Sequence, residues 1–278
     1  MNGRQALSEI TAILEQAEVF DPKYEAGEIV REICKAHPLM ITNISENQLS
    51  AMKKIAEKRA EGYPLQYIFG KWEFYGYEFF VGEGVLIPRP ETELLVDIAV
   101  KRLNKNSVIL DLCSGTGCIP VSCAKEIGCK AYAVELYDKA FSYLQKNIAH
   151  NNADVTAVKG DALDNSHFEG VIFDAIFSNP PYLTRDEMNS LQREVRHEPE
   201  TALFGGDDGL YFYKQLFSLW KSRLKKDGIF AVEVGDKQAE AVRKIMENEG
   251  FSAEIVSDYQ GIGRVVIGTF QAPMNNEK

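Results

Sequence analysis

No apolar run in this 278-residue chain approaches the roughly 20 residues that a membrane-spanning helix needs. The amino terminus, with Arg4, Glu9 and Glu15, lacks a signal-peptide pattern, so a cytoplasmic protein is expected. Cysteine is sparse: five residues, at 34, 113, 118, 123 and 129, with no C-x-x-C pair. That number and spacing argue against a disulfide framework and a zinc site, so no metal is expected and the thiols read as buried and free. The four histidines are scattered at 37, 150, 167 and 197 and are given no role. Positive charge is also short, since 31 Lys+Arg against 41 Asp+Glu leave a net charge of −10. A broad nucleic-acid footprint, which requires clustered Lys and Arg on the phosphates, is therefore not expected. Internal repeats and low-complexity segments are absent apart from a short polar tail, 275–278.

What is present is an ordinary globular composition, 45% hydrophobic and 26% charged, at a length that suggests about two domains. Residues 1–63 read as helices. Leu7, Ile10, Leu14 and Ala17 recur at helical spacing, Asp21-Pro22 forms an N-cap with Pro at the first position, and Ser45-x-x-Gln48 is a capping box ahead of Leu49, Met52 and Ile55. This segment carries 8 Lys+Arg against 10 Asp+Glu, which suits a surface for a protein partner better than a grip on DNA. Residues 64–88 read as a β-rich linker, with Trp72, Phe74, Tyr77, Phe79 and Val81 flanking Tyr75-Gly76 as in a hairpin. From 89 onward strands and helices alternate. Strands are expected at 107–112, 130–135, 155–159, 171–178, 228–234, 252–256 and 264–270, and helices near 91–104, 118–127, 138–150, 209–225 and 236–249. Such alternation predicts a doubly wound, mainly parallel α/β sheet that binds its ligand outside the carboxyl ends of the strands.

The chemistry-bearing residues fall at those ends. The first strand runs into Asp111-Leu112-Cys113-Ser114-Gly115-Thr116-Gly117, where glycine lets backbone approach a ligand closely. Pro120 stands where a dinucleotide fingerprint needs a third small residue, which disfavours NAD. The second strand ends at Glu135, placed to take both hydroxyls of a ribose. The third leads to Gly160-Asp161-Ala162, where a carboxylate can accept from an adenine amino group and the Ala162 N–H can donate to the ring. The fourth delivers Asn179-Pro180-Pro181-Tyr182. Two prolines stiffen this loop and remove two donors. The Asn179 amide and the Pro180 carbonyl then remain as acceptors for a planar –NH2 group, with Tyr182 over its flat face. Four successive strands ending in residue types that suit an adenosine ligand and an –NH2 acceptor make coincidence a poor explanation.

The glycine loop and the Asn-Pro-Pro-Tyr element occur beside Leu86-Ile87-Pro88-Arg89-Pro90-Glu91-Thr92-Glu93 and Glu198-Pro199-x-x-Ala202-Leu203-x-Gly205-Gly206-x-Asp208-Gly209-Leu210. Together they resemble the PrmC/HemK family of peptide-chain release factor glutamine methyltransferases, within the class I S-adenosylmethionine-dependent methyltransferases. The resemblance implies a Rossmann-like catalytic domain over 89–278 behind a helical substrate-recognition domain. It also implies methylation of the side-chain amide nitrogen (N5) of the glutamine in the Gly-Gly-Gln loop of class 1 release factors, in support of translation termination. By the same resemblance Asp111, Cys113, Ser114, Gly115, Thr116 and Gly117 cradle the methionine part of S-adenosylmethionine, released as S-adenosylhomocysteine. Glu135 holds the ribose, and Asp161 with Ala162 faces the adenine. Asn179, Pro180, Pro181 and Tyr182 bind the glutamine, with Asn179, Pro180 and Tyr182 catalytic and Asn179 also beside the cofactor. Cys113 and Ser114 stand where relatives more often have Gly-Thr, Glu135 where many have Asp, and Ala162 where some have an aromatic. Two alternatives share the tetrapeptide: a ribosomal-protein glutamine methyltransferase, and a DNA or RNA adenine amino-methyltransferase. A non-catalytic cofactor-binding protein is the third.

Overall fold

A computed structural model describes residues 1–270. By their contacts the residues group into two units, Met1–Lys71 with Gln192–His197, and Trp72–Leu191 with the described residues from Glu198 onward. The sequence reading placed the first boundary at residue 63.

The first unit contains α1 (Gly3–Gln16), α2 (Pro22–Cys34), α3 (Glu46–Ala60) and α4 (Leu65–Phe69). Asn2 with Gln5 and Ser45 with Gln48 form reciprocal capping boxes, and Asp21 caps α2 with Pro22 at its first position. The α1 seam is Gly3, Ala6, Ile10 and Leu14; of the expected stripe, Leu7 packs at the edge of the core and Ala17 is the C-cap of the helix. It meets Ala26, Ile29 and Val30 of α2 and Met52 and Ala56 of α3. Arg59, with only 5% of its side chain exposed, joins Glu25 (Nε–Oε2 2.6 Å) to Glu194 (Nη2–Oε1 3.2 Å). This ion triad holds residues 192–197 to α3.

The segment from 64 opens with α4, where a β-rich stretch was expected. Its aromatic and branched residues resemble a strand, but the turn beginning at Pro64 closes a single helical turn that ends on Gly70 at φ 73°. The hairpin follows, with β1 (Lys71–Phe74) and β2 (Tyr77–Phe80) joined by Tyr75 and Gly76, both at positive φ, as a tight two-residue turn requires.

Next come α5 (Glu93–Arg102), β3 (Val108–Leu112), α6 (Cys118–Ile127), β4 (Lys130–Glu135), α7 (Asp138–Asn151), β5 (Val155–Lys159) and β6 (Phe173–Ser178). They are followed by α8 (Arg185–Asn189), α9 (Tyr211–Trp220), β7 (Leu224–Glu233), α10 (Ala239–Asn248), β8 (Phe251–Ser257) and β9 (Gly263–Phe270). The strands form one sheet in the order β5-β4-β3-β6-β7-β9-β8. The first five are parallel, and β9 runs antiparallel to both of its neighbours. Helix α9 stops at Trp220, earlier than the expected 225, because a short 3-10 turn, Lys221–Arg223, leads straight into β7. Apolar side chains pack on both faces of the sheet. One core gathers Ile109, Ala131, Phe177 and Ile267 with α5 and α6, and the other gathers Leu110, Ile176, Phe230 and Val266 with α9 and α10. Chain order reverses between β3 and β6, which opens a crevice at the carboxyl ends of the strands.

Candidate active site

A cavity of about 260 Å³ lies in the second unit at that crevice. Its walls are the loop 84–92, the loop after β3, the ends of β4 and β6, residues 161–163, and Pro199, Thr201, Ala202 and Phe212.

Each wall is built by an identifiable contact. In the loop after β3, Cys113 and Gly115 have positive φ, 61° and 53°, and Gly115 donates its N–H to Glu135 Oε2 (2.9 Å). The other Glu135 oxygen accepts from the Tyr137 N–H (2.8 Å). Burial raises the Glu135 pKa, while these N–H groups and Lys159 oppose the shift. Asn147, fully buried on α7, donates to the carbonyls of Thr116 (3.0 Å) and Phe80 (3.1 Å) and accepts from the Phe80 N–H (2.7 Å). One side chain thereby ties the glycine loop to the hairpin, and all of its hydrogen-bonding groups are used.

Asp111 is completely buried, and neither carboxyl oxygen has a hydrogen-bond partner. Burial pushes its pKa up to about 8; the Ser114 hydroxyl opposes the shift and Glu135 adds to it. That hydroxyl donates to the Asp111 main-chain carbonyl (3.0 Å). An unpartnered buried carboxyl is costly. A positive charge held in the adjoining loop would lower that cost.

On the opposite wall Asn179 donates its Nδ2–H to Thr92 Oγ1 (3.2 Å), and Thr92 donates to Glu233 Oε2 (2.5 Å). The Tyr182 hydroxyl points at Glu233 Oε1 (3.5 Å). Pro180 and Pro181 are buried, and among the described residues none donates to the Pro180 carbonyl. The Tyr182 carbonyl takes a hydrogen bond from Gln238 Nε2 (2.9 Å). Gly205 backs this loop closely: a Cβ there would sit 2.5 Å from the Pro181 carbonyl oxygen and 2.6 Å from Tyr182 Cα. Leu183 and Leu203 to Gly205 exchange main-chain bonds of 2.8 and 2.9 Å. Arg89 is paired with Glu198, which also accepts from the Ile87 N–H (3.0 Å).

Of the residues read from the sequence, Cys113, Ser114, Gly115, Thr116, Glu135, Asp161, Ala162, Asn179 and Pro181 line the cavity. Asp111, Gly117, Pro180 and Tyr182 do not. Gly117 faces away, and a Cβ there would meet Leu144 Cδ1 at 2.4 Å. Asp111 lies behind the wall, and Tyr182 is aimed toward Glu233. The sequence reading missed Asn147 and Glu233. Glu233 had a signal, a carboxylate closing the apolar run Phe230-Ala231-Val232, the same pattern that singled out Glu135. Among the described residues no cluster of His, Cys, Asp and Glu is suited to a metal, and no helix is long and apolar enough to cross a membrane.

A parallel sheet with one antiparallel strand inserted near its edge, and a carboxylate-lined cavity at the reversal of strand order, define a class I methyltransferase. Residues 90–206 match the methyltransferase small domain and residues 5–70 the PrmC N-terminal domain. The chain is 38% identical to the release factor glutamine methyltransferase of Thermodesulfovibrio yellowstonii, over 87% of this chain and 91% of that one. It is 35% identical to that of Koribacter versatilis over 96% and 98%. A methyltransferase from Pyrococcus furiosus shares the fold at a TM-score of 0.56 and 21% identity, over 72% of this chain and 91% of that one. The chain belongs to the release factor glutamine methyltransferase family.

Proposed function

We propose that the protein transfers a methyl group from S-adenosylmethionine to the side-chain amide nitrogen of the glutamine in the Gly-Gly-Gln loop of class 1 release factors. The observation that carries this reading is the state of Asn179. Its Nδ2–H is committed to Thr92, which leaves Oδ1 as an acceptor beside the unclaimed Pro180 carbonyl. Two acceptors suit the two N–H bonds of a primary amide.

The unpartnered Asp111 carboxyl, the open space over Gly115 and the Glu135 carboxylate suit a ligand with a positive amino-acid end and a ribose. Cys113 to Thr116 would hold the first, Glu135 the second, and Asp161 with Ala162 the adenine. The cofactor supplies an electrophilic methyl on its sulfonium and leaves as S-adenosylhomocysteine. An amide nitrogen is a weak nucleophile because its lone pair is delocalised. Asn179 and Pro180 would therefore act by holding both N–H bonds and aiming the nitrogen, and by stabilising the positive charge that it gains, one of the two N–H protons then passing to water. The first unit is assigned to recognition of the release factor, for which Phe20 (91% exposed) and Met40 (80% exposed) offer apolar contact. Such an enzyme works in the cytoplasm, where its substrate acts.

The test is to incubate the protein with S-adenosylmethionine and a recombinant release factor and to locate the added methyl by peptide mass spectrometry. A single methyl on the Gly-Gly-Gln glutamine is expected. Label confined to a ribosomal protein or to nucleic acid overturns the reading.

A further inference from the structure

Glu233 ends β7 wholly buried, and side-chain hydroxyls reach both of its oxygens: Thr92 Oγ1 at 2.5 Å from Oε2 and Tyr182 Oη at 3.5 Å from Oε1. Thr92 also accepts from Asn179 Nδ2 at 3.2 Å. A hydroxyl has one proton. With that proton given to Glu233, Thr92 presents only lone pairs to Asn179, and only the NH2 edge of the amide fits against them. The amide oxygen is turned the other way. We propose that Glu233 and Thr92 are positioning residues that set the orientation of the Asn179 amide, so that Oδ1 meets the –NH2 group to be methylated. This rests on the reading of the site as an amide methyltransferase.

The chain has a direction, and the carboxylate sets it. Ionised Glu233 can only accept. With a proton on Oε2 it would donate to Thr92, the Thr92 proton would turn to Asn179, and the flipped amide would set its own NH2 against that of the substrate. Two donors then face each other and the acceptor is lost. The surroundings bring this exchange near neutrality. Burial raises Glu233 to about 7, the Thr92 hydrogen bond opposes the shift, Glu91 adds to it, and Arg89 and Arg264 oppose it. Both arginines are themselves shared, Arg89 with Glu198 and Arg264 with Asp236 and Asp258. Among the other groups facing Glu233, Tyr213 donates to its main-chain carbonyl (2.9 Å) and the Cys118 thiol is raised in its vicinity.

The test compares wild type with Glu233→Gln, Thr92→Val and Thr92→Ser on S-adenosylmethionine and release factor. Thr92→Val and Glu233→Gln should each lower kcat by about 10- to 100-fold, as loss of a preorganised polar contact does, with cofactor Kd within about threefold of wild type. Thr92→Ser should restore most of kcat, and the double variant should be no worse than the poorer single one, because both act through one chain. Wild-type kcat should fall on acidification through about 7 and that of Glu233→Gln should not. A readout independent of turnover is the Asn179 side-chain amide resonance, identified by its loss in Asn179→Asp. It should shift with pH in wild type and stay fixed in Glu233→Gln. Full kcat in Thr92→Val, or a loss that serine does not restore, overturns the proposal, and Thr92 decides it if Glu233→Gln fails to fold. A wild type that methylates no amide overturns the function itself, whereas an active wild type with indifferent variants overturns only this inference.

Discussion

The main-chain N–H of Gly115 donates to Glu135 Oε2 at 2.9 Å, tying the loop after β3 to the end of β4. The same carboxylate is proposed to take the ribose, so Glu135→Ala should lose both. Charge-assisted hydrogen bonds are worth about 1.5–3 kcal/mol each, so cofactor affinity should fall about 100-fold by calorimetry. The KM for the release factor should hardly change. Glu135→Asp, one methylene shorter, should fall between. Unchanged cofactor affinity in Glu135→Ala would remove the ribose assignment.

Gly115 and Gly117 both have positive φ, but for different reasons. At Gly117 a Cβ would strike Leu144 Cδ1 at 2.4 Å, whereas at Gly115 the nearest side-chain atom is Val85 Cγ2 at 3.8 Å. Gly117→Ala should therefore lower Tm markedly, combining overpacking with left-handed strain for about 2–4 kcal/mol. Gly115→Ala should cost about 1–2 kcal/mol of strain and lose cofactor affinity more than stability. The reverse ranking in thermal melts and calorimetry would contradict the division.

Asp111, raised to about 8, and Glu233, raised to about 7, make stability depend on pH. Both folded-state values exceed the ordinary 3.8 and 4.5. The folded protein thus holds these protons more tightly than the unfolded chain does. The resulting stability is fully present below the ordinary values and is lost as pH rises through about 7 and then about 8. Calorimetric Tm of the ligand-free protein should fall across this window, and Asp111→Asn should flatten the later part of the decline. An identical slope in Asp111→Asn would show that Asp111 does not titrate there.

In the first unit Arg59 neutralises Glu25 and Glu194 from a nearly buried position. Arg59→Ala strands two carboxylates and should cost about 3 kcal/mol, the scale for breaking a buried pair. Limited proteolysis should then cut near 192–197 while β3 to β6 stay protected. Unchanged cleavage there would mean that the triad does not hold the segment.

Much of the fold was legible because it rests on local pattern. The N-cap at Asp21, the capping box at Ser45 and the apolar runs of β3 to β6 depend on neighbours within a few residues. So do the strand-end positions of Glu135 and Asn179. The five-residue α4 was not legible, since its aromatic and branched residues favour a strand and only Pro64 and Gly70 mark its ends. The placement of β9 between β7 and β8 was not legible either, because strand pairing is a contact between distant segments and leaves no period in the sequence. The packing of Gly117 was not legible for the same reason: a glycine's freedom is local, but Leu144, distant in sequence, decides how it is used.

The sequence by itself determined the class of chemistry: strand-end carboxylates, a glycine loop and Asn179 to Tyr182 are residue types at chain positions, and their meaning needs no coordinates. Tertiary structure decided how Asn179 is presented. Thr92 and Glu233 are 141 residues apart, and nothing in the chain's local pattern pairs them. Packing brings one hydroxyl between a carboxylate and an amide, and the single proton on that hydroxyl then sets which edge of the amide is left for the substrate.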